Sequence, residues 1–246
     1  MKKVIRQLHH SGSIVDKERY YLKLRFKEGR LHSDEIVPLL PNLPKGAPHF
    51  KEWKSRKHAL NILLNYMNEK QKNLNVLDMG CGNGWMTNKI AMQGYQVTGL
   101  DVNLEELNQA RRLFQSDNIN FIYADIFQEP SIGKFDLIIL ASSVQYFPSL
   151  TDTINTLFKY LSPGGEIIIM ESHLYPKFTI NDAKKRSKDY FDQMEASEME
   201  KYYFHHSVEA LDCYNFNYIY KNSQSIFNKI FTPYQSIFPI ITIKGN

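Results

Sequence analysis

Cysteine is scarce in this sequence. Cys81 and Cys213 are the only two among 246 residues, and neither stands in a Cys-x-x-Cys pair or a Cys/His cluster with metal-ligand spacing. The sequence therefore disfavours a disulfide framework and a structural zinc site. Because free thiols persist in the reducing cytoplasm, we expect the protein in that compartment.

Long apolar runs are also missing. No stretch of about 18 apolar residues occurs, which is the length that a membrane-spanning helix needs. The N-terminal residues lack the apolar core of a signal peptide, and no internal repeat or low-complexity tract is found. We therefore expect a protein that contacts no membrane and is not exported.

Charge of one sign is not in large excess, since the formal net charge is +4. Its distribution is uneven: residues 1–70 contain 15 lysines and arginines against 7 acidic residues, whereas residues 71–246 contain 15 against 19. A basic segment of this kind either binds an anionic partner or forms solvated helix faces. The second interpretation is favoured, so nucleic acid is a disfavoured partner.

From residue 73 onward, short apolar runs alternate with amphipathic segments. This alternation is typical of successive βαβ units around a parallel sheet. Continuous apolar runs such as FDLIILA indicate strands that helices cover on both faces. The five strands predicted in this part are 75–79, 95–100, 120–124, 135–141 and 166–170.

The segments between these strands have helical periodicity. Asn103 and Ser149 precede two of them and are residue types that cap helix N-termini. Pro163-Gly164-Gly165 then interrupts the chain before the fifth strand. The predicted helices are 85–93, 104–115 and 151–161.

Residues 1–72 precede the sheet and form a separate N-terminal cap segment in this prediction. Four prolines between positions 38 and 48 predict an irregular first part. Helical spacing then returns over residues 50–68 through a regular series of tryptophan, leucine and methionine side chains. We expect this segment to cover the sheet domain.

Residues 172–215 follow the fifth strand and form a lid-like insert with its own helical pattern. Two further candidate strands follow at 216–220 and 237–243, so the domain extends over residues 73–246. The predicted fold class is α/β: a Rossmann-like, doubly wound, mostly parallel seven-stranded sheet with an N-terminal helical cap and an insert after the fifth strand.

The most informative segment is a glycine-rich turn, DMGCGNG, between the first strand and the first helix. Glycines let the backbone approach a ligand closely, and the helix N-terminus beyond them offers free N–H groups. A dinucleotide-binding motif needs a third glycine at position 85 for close packing of helix on strand, but that residue is Trp85. The turn therefore disfavours NAD.

The spacing D-x-G-x-G-x-G, followed by Asp101 at the end of the second strand, resembles that of the class I S-adenosylmethionine-dependent methyltransferases. The resemblance extends over residues 73–171. It implies that S-adenosyl-L-methionine is the cofactor and S-adenosyl-L-homocysteine the product. The residues that match the family's glycine-loop motif are Asp78, Gly80, Gly82 and Gly84.

The resemblance also implies roles for two aspartates that follow strands. Asp101 would accept hydrogen bonds from both ribose hydroxyls, because a carboxylate accepts two bonds at once; the alternative is that it only caps the next helix. Asp125 would meet the adenine amino group, with Ile126 as an apolar contact, although an aspartate there is also common in turns. The predicted cofactor-binding residues are Asp78, Gly80, Cys81, Gly82, Asn83, Gly84, Asp101, Val102, Asp125, Ile126 and Ser142.

The chain after the fourth strand, residues 142–148, lies where ligands collect in open parallel sheets. It departs from the Asn-Pro-Pro-Tyr type of motif that the family uses for adenine or glutamine nitrogens, which disfavours those acceptors. It also lacks the acidic ligand of the magnesium-dependent catechol-type members. No metal is therefore predicted.

Methyl transfer needs alignment of the reactants and, for a hydroxyl acceptor, a base. Histidine titrates near working pH, and His173 and the pair His205-His206 lie beyond the fifth strand. Each of them is alternatively a surface or hydrogen-bonded histidine. The predicted catalytic residues are His173, His206 and Tyr146.

Aromatic residues are dense toward the C-terminus, where residues 175–246 contain 15 of the 32. They indicate either a pocket for an aromatic acceptor or ordinary core packing. We favour a methyltransferase for a small-molecule acceptor, with oxygen preferred as the methylated atom. The alternatives are an RNA or protein methyltransferase and a non-catalytic protein that binds the cofactor; the sequence leaves the acceptor and the oligomeric state open.

Overall fold

The computed structural model describes residues 12–70, 73–221, 236 and 238–245. Residues 1–11 and 71–72 of the predicted cap segment and residue 237 of the last predicted strand lie outside these ranges. The α-helices within the described residues are α1 (Gly12–Lys27), α2 (Phe50–Asn68), α3 (Trp85–Ala91), α4 (Leu104–Leu113), α5 (Leu150–Phe158) and α6 (Ile180–Gln193).

The strands divide into a large and a small sheet. The strands of the large sheet are β1 (Asn75–Met79), β2 (Gln96–Asp101), β3 (Ile119–Tyr123), β4 (Phe135–Ala141), β5 (Leu161–Met170), β8 (Phe216–Tyr220) and β9 (Ile240–Lys244). The strands of the small sheet are β6 (Leu174–Tyr175) and β7 (His206–Ser207).

The large sheet has the strand order β3-β2-β1-β4-β5-β9-β8. Its first five strands in the chain pair in parallel, and β9 runs antiparallel to both β5 and β8. This arrangement confirms the predicted seven-stranded, mostly parallel sheet. The strand order reverses direction between β1 and β4, and ligands of open α/β sheets bind beside the carboxyl ends of strands at such a point.

Alternate residues of the central strands enter two separate cores, as the pleat of a strand requires. Val76 of β1 packs in the cluster that contains α2 and α3 side chains such as Leu63 and Ile90. The next residue, Leu77, packs in the opposite cluster with Ile154 of α5. Helices therefore cover both faces of the sheet, and the predicted doubly wound architecture is confirmed.

The cap segment is irregular only in part: residues 28–49, which contain the four prolines, form turns and one short 3-10 helix as predicted, but a helix precedes them. Residues 12–27 form α1, whose Leu24 is only 3% exposed. Leu24 packs in a small cluster with Phe191 and Met199. Since these partners are distant in sequence, tertiary packing rather than local periodicity stabilises α1.

The segment from α5 to β5 also differs from the prediction. α5 ends at Phe158 instead of residue 161, and β5 begins at Leu161 rather than 166. Pairing with β4 shifts register between these strands, so the Pro-Gly-Gly stretch forms an irregular part of β5 rather than a break before it. Gly165 permits this because a Cβ there would lie 3.0 Å from the Phe135 carbonyl oxygen.

Both predicted helix caps are present. The Asn103 side chain accepts a hydrogen bond from Glu106 N at 3.1 Å, and Ser149 Oγ accepts one from Asp152 N at 3.2 Å. The insert after β5 contains α6 and the small sheet, so its predicted helical pattern is confirmed. No helix among the described residues is long and apolar enough to cross a lipid bilayer.

Candidate active site

The turn after β1 brings three glycines to the carboxyl edge of the sheet. Gly80, Gly82 and Gly84 have φ angles of 78°, 52° and 73°, a conformation that residues with a Cβ rarely adopt. A Cβ on Gly84 would lie 2.7 Å from Phe121 and 2.8 Å from Ala110, so this glycine serves close packing. A Cβ on Gly82 would meet no atom nearer than 3.4 Å, so Gly82 leaves room for a ligand.

Two cavities open at this edge. The larger one, of about 440 Å³, lies beside the ends of β2 and β3, and the smaller one, of about 110 Å³, lies beside the ends of β1, β4 and β5. They adjoin, so that one elongated ligand can extend through both. The residues that line both cavities are Tyr21, Gly80, Gly82, Glu106 and Ser142.

Asp101 ends β2 and lines the larger cavity. Its Oδ2 accepts a hydrogen bond from Gly82 N at 2.7 Å and its Oδ1 accepts one from Asn103 N at 2.8 Å. Because Asn103 supplies the side-chain cap of α4, Asp101 is not merely a helix cap. Each carboxylate oxygen has a second lone pair and can accept a further bond from a ligand.

Asp125 follows β3 and lines the larger cavity together with Phe127. Its Oδ1 also accepts a hydrogen bond from Phe127 N at 3.0 Å and caps a short 3-10 helix, as the turn alternative predicted. Ile126, the predicted apolar contact, is fully buried in the core on the α5 side and lines neither cavity. Because of this helical turn, the Ile126 side chain enters the core and the Phe127 side chain lines the larger cavity. Phe127 therefore forms the apolar wall of that cavity.

Most of the predicted cofactor-binding residues do gather at the two cavities. Cys81 and Asn83 line the smaller cavity and Val102 lines the larger one. Gly84 and Ile126 are the exceptions, because one packs against α4 and the other enters the core.

The predicted catalytic residues do not converge. Tyr146 lines the larger cavity, and its hydroxyl accepts a hydrogen bond from Arg25 Nη2 at 2.8 Å. His173 is exposed and contacts Phe238, with ring centroids 4.5 Å apart. His206 is buried, with Nε2 2.9 Å from the Val144 carbonyl oxygen. Neither histidine lines either of these two cavities.

The helix α1 covers the larger cavity. Lys17 and Glu18 both line it, and Lys17 Nζ donates a hydrogen bond to the Tyr146 carbonyl oxygen at 2.8 Å. Glu18 Oε1 accepts one from Leu104 N at 2.7 Å. Burial lowers the pKa of Lys17, and the nearby carboxylates of Asp101 and Asp125 oppose that shift.

Carboxyl groups with raised pKa values surround both cavities. Burial raises the pKa of Asp78 to about 6, although Thr87 Oγ1 donates to Asp78 Oδ2 at 2.6 Å and favours the ionised form. Burial, together with the charge of Asp101, raises the pKa of Glu106 to about 7. Burial also raises the pKa of Asp101 itself. Sites that shift carboxyl pKa values in this way are frequently functional.

One wall of the smaller cavity is formed by α2 and by the chain before it. Side chains of this wall take part in ion pairs. Arg30 Nη1 lies 2.5 Å from Glu52 Oε1, and Arg56 Nε lies 3.2 Å from the same oxygen. Burial alone would raise the pKa of Glu52, but these two guanidinium groups lower it to about 2. Arg56 Nη1 also contacts Glu171 Oε2 at 3.2 Å.

Sequence reasoning missed two carboxyl groups of this site, Glu106 and Glu171. Glu171 directly follows β5, is 7% exposed and lines the smaller cavity. Its position after the carboxyl end of a parallel strand is a signal that could have identified it. Its contact with Arg56 could not be foreseen, because the two residues are far apart in sequence.

A family model described as a methyltransferase domain matches residues 70–231, which is more than half of the chain. The chain belongs to the class I S-adenosylmethionine-dependent methyltransferases. This assignment confirms the resemblance seen in the glycine loop, and S-adenosylmethionine is the cofactor of the family.

Curated relatives of this methyltransferase domain match it over part of their length. It is 29% identical to the methyltransferase phqN of Penicillium fellutanum over 61% of this chain and 46% of that protein. It is 28% identical to the ubiquinone biosynthesis O-methyltransferase of Sodalis glossinidius over 51% of this chain and 53% of that protein. The matched segment thus spans about half the length of these relatives.

Solved structures share the fold over nearly the whole chain. The N-methyltransferase NodS from Bradyrhizobium japonicum WM9, in complex with S-adenosyl-L-homocysteine, has a TM-score of 0.55 at 16% identity, over 92% of this chain and 98% of that one. The plantazolicin methyltransferase BpumL has a TM-score of 0.52 at 18% identity, over 95% and 98%. These likenesses establish the fold.

The two cavities of the methyltransferase domain fit the cofactor of its family. S-adenosylmethionine is elongated and carries a cationic sulfonium and an ammonium group beside its adenosine. The joined cavities have room for an elongated ligand above Gly82. Their carboxyl groups are of the sign that stabilises a cation. Among the described residues, no group of three or more His, Cys, Asp or Glu side chains could hold a metal ion.

Proposed function

We propose that this domain transfers the methyl group of S-adenosylmethionine to a small-molecule acceptor, with oxygen favoured as the methylated atom. The observation that carries the proposal is the pair of joined cavities at the glycine loop, one beside Asp101 and the other beside β4 and β5. The first suits the adenosine part of the cofactor. The second suits the methionine part and the acceptor.

For the adenosine part we propose the residues of the larger cavity. Asp101 accepts the ribose hydroxyls with its free lone pairs, and Asp125 accepts the adenine amino group. Val102 and Phe127 provide the apolar contacts, since both line the same cavity. The backbone of Gly80 and Gly82 passes beside the sulfur, where a side chain would obstruct the ligand.

When bound, the cofactor supplies an electrophilic methyl group on a positively charged sulfur. The carboxylates of Asp78 and Glu106 stabilise the cationic ligand, and α1 with Tyr21 and Tyr146 excludes water from it. Holding the acceptor in line with the sulfur contributes on the order of 7 to 11 kcal/mol to lowering the barrier. A base contributes about 10² to 10⁴-fold more when the acceptor is a hydroxyl.

A small acceptor is favoured over RNA or protein because the free space at the site is limited. α1 covers one cavity, and the smaller one has a volume of only about 110 Å³. The O-methyltransferases among the relatives, including a malonyl-[acyl-carrier protein] O-methyltransferase of Acetivibrio thermocellus that is 30% identical over 46% of this chain, are consistent with oxygen as the methylated atom.

The experiment that tests the cofactor assignment is thermal unfolding with added ligands. A ligand that binds only the folded state stabilises it, by about 2.7 kcal/mol at one hundred times its Kd. S-adenosylhomocysteine is expected to raise the unfolding temperature by several degrees, and NAD to leave it unchanged. Equal shifts would contradict the proposal. Tight binding without transfer of labelled methyl groups to any component of a cell extract would favour a non-catalytic binder.

We also propose that the domain acts in the cytoplasm and that residues 1–72 function as its cap segment. Cys81 is buried and Cys213 is exposed, and both are free thiols, which suits a reducing compartment. The covering of the larger cavity by Lys17 and Glu18 supports the role of the cap.

A further inference from the structure

Glu171 holds a carboxylate oxygen that has no partner. Its Oε2 accepts a hydrogen bond from Ser142 Oγ at 3.3 Å and contacts Arg56 Nη1 at 3.2 Å. Its Oε1 is buried, and no group of the described residues lies within hydrogen-bonding distance of it. A buried charged oxygen without a partner is costly, so native sites retain one where a ligand completes it.

The backbone around Glu171 is strained. Ser142 and Glu171 have φ angles of 53° and 54°, although neither is a glycine. They end the neighbouring strands β4 and β5, and Ser142 Oγ contacts the Glu171 carbonyl oxygen at 3.1 Å. Backbone strain of this kind concentrates at active sites and ligand contacts.

The groups around Glu171 act in opposite directions on the pKa of its carboxyl. Burial raises that pKa, the guanidinium of Arg56 and the Ser142 hydroxyl oppose this shift, and the Glu52 carboxylate adds to it. Asp78 on β1 is another acidic group that interacts with Glu171. A carboxylate whose pKa is raised is a better proton acceptor.

The strand order separates Glu171 from the glycine loop, over which we propose that the cofactor lies. The glycine loop follows β1, whereas Glu171 follows β5, two strands away in the order β1-β4-β5. At a strand spacing of about 4.8 Å, this separation is roughly 10 Å. If the cofactor extends from Asp101 across Gly82, Glu171 lies on the side to which its methyl group is transferred.

We propose that Glu171 accepts the proton of the methyl acceptor, and that the acceptor is a hydroxyl-bearing small molecule bound in the smaller cavity. In this step the hydroxyl oxygen forms a bond to the methyl carbon, and the carbon–sulfur bond breaks with its electron pair remaining on sulfur. The hydroxyl proton moves to the Glu171 carboxylate. A carboxylate acceptor does not need this step, because it has no proton to lose. This assignment rests on the proposed function.

The test needs no knowledge of the acceptor. Sinefungin is a cofactor analogue in which an amine-bearing carbon replaces the methyl-bearing sulfur, so its amine occupies the position of the transferred group. S-adenosylhomocysteine lacks that group and serves as the reference ligand. The affinities of both are measured by isothermal titration calorimetry for the wild type and for Glu171→Gln.

We expect Glu171→Gln to lower the affinity for sinefungin at least tenfold and that for S-adenosylhomocysteine less than twofold. For the wild type, the preference for sinefungin is expected to increase with pH as the buried carboxyl groups ionise, and this increase is expected to be smaller in the variant. Because Asp78 and Glu106 also respond to the sinefungin amine, the difference between wild type and variant measures the part that Glu171 contributes. Glu171→Asp is expected to retain part of the preference.

Glu52→Gln is the matched control, because it removes a carboxylate that also contacts Arg56 but does not line the cavity. The Glu52 charge adds to the raised pKa of Glu171, so the comparison is made at a pH at which Glu171 is ionised, where the ratio of the two affinities is expected to stay unchanged. Equal loss of both ligands in Glu171→Gln would mean that Glu171 binds the amino-acid part, and an unchanged ratio would mean that it does not face the methyl group; either result overturns the proposal. Failure of the wild type to bind either ligand would instead contradict the proposed function.

Discussion

Among the carboxyl side chains that line the two cavities of this domain, four have pKa values that burial raises. They are Asp78, Asp101, Glu106 and Glu171. Burial disfavours their ionised forms, and a cationic ligand would favour them. Binding of a cationic ligand is therefore expected to lower the pKa values of these carboxyl groups.

Stability and cofactor affinity are expected to depend on pH in opposite directions. The folded state holds protons on Asp78 and Glu106 up to pH values of about 6 and about 7, above the usual range near 4 of an unfolded chain. The contribution of these protons to the free energy of unfolding is therefore largest below about pH 4 and is lost as the pH rises through 6 and 7. For Asp78 the loss is roughly 3 kcal/mol.

Affinity for S-adenosylmethionine is expected to increase over the same range, because a cationic ligand favours the ionised carboxylates and releases their protons. Calorimetry in two buffers of different ionisation enthalpy measures that release. Glu106→Gln is expected to remove the step near pH 7. Uptake of protons on binding would contradict this account.

Asp101 is expected to be decisive for cofactor affinity. Its Oδ2 accepts a hydrogen bond from Gly82 N at 2.7 Å, and its oxygens retain lone pairs for a ligand. Asp101→Ala therefore removes both the ligand contact and the hydrogen bond that holds the glycine loop. We expect the affinity for S-adenosylhomocysteine to fall at least tenfold while the circular dichroism spectrum stays native. The exposed Asp117→Ala is the control. Unchanged affinity of Asp101→Ala would remove this residue from the site.

At the scale of elements, α1 forms part of the candidate site, because its side chains line the cavities. It contributes Lys17, Glu18 and Tyr21 to the cavities and is held by Leu24 against residues of the insert. The cap segment and the insert therefore form one cover over the carboxyl edge of the sheet. This cover is built from elements that flank the βαβ units on both sides in the chain.

Leu24→Ala is expected to loosen this cover. Truncating a buried leucine costs about 2 to 4 kcal/mol, and here the cost falls on the packing of α1. We expect faster hydrogen exchange confined to α1 and the insert, together with weaker binding of S-adenosylhomocysteine. Phe26→Ala on the same helix, where the side chain is 75% exposed, is expected to change neither. Uniformly faster exchange across the sheet would contradict a local role.

At the scale of the whole molecule, the fold offsets part of the basic excess of residues 1–70. Lys23 pairs with Glu198, Lys27 with Glu195, and Lys70 with Glu166. These acidic partners all come from the second half of the chain. The charge asymmetry of the sequence is therefore reduced by ion pairs over the part of the segment that the structure describes.

This pairing of charges argues against RNA as the acceptor. We expect no saturable binding of a single-stranded RNA oligonucleotide at low salt, measured by fluorescence anisotropy. Binding that weakens steeply with added salt would indicate released counterions and favour the RNA methyltransferase alternative.

The candidate site was predictable where a residue's role depends on its own strand and turn. The glycine loop, Asp101 and Asp125 follow β1, β2 and β3, and parallel strands bring their carboxyl ends to one edge. Ile126 lines neither cavity, because one residue of helical turn decides which side chain enters the core. His173 and His206 line neither cavity, and their contacts with Phe238 and the Val144 carbonyl oxygen are tertiary ones that no local pattern indicates.

By itself the sequence determined the α/β class, the parallel direction of the central strands and the family, because periodicity and turn chemistry are local properties of the chain. Tertiary structure alone decided which distant charges meet. Arg56 on α2 reaches Glu171 after β5, and Lys17 on α1 reaches the larger cavity, through packing that joins both ends of the chain over the sheet. Such contacts depend on where whole elements lie, and no local pattern encodes that.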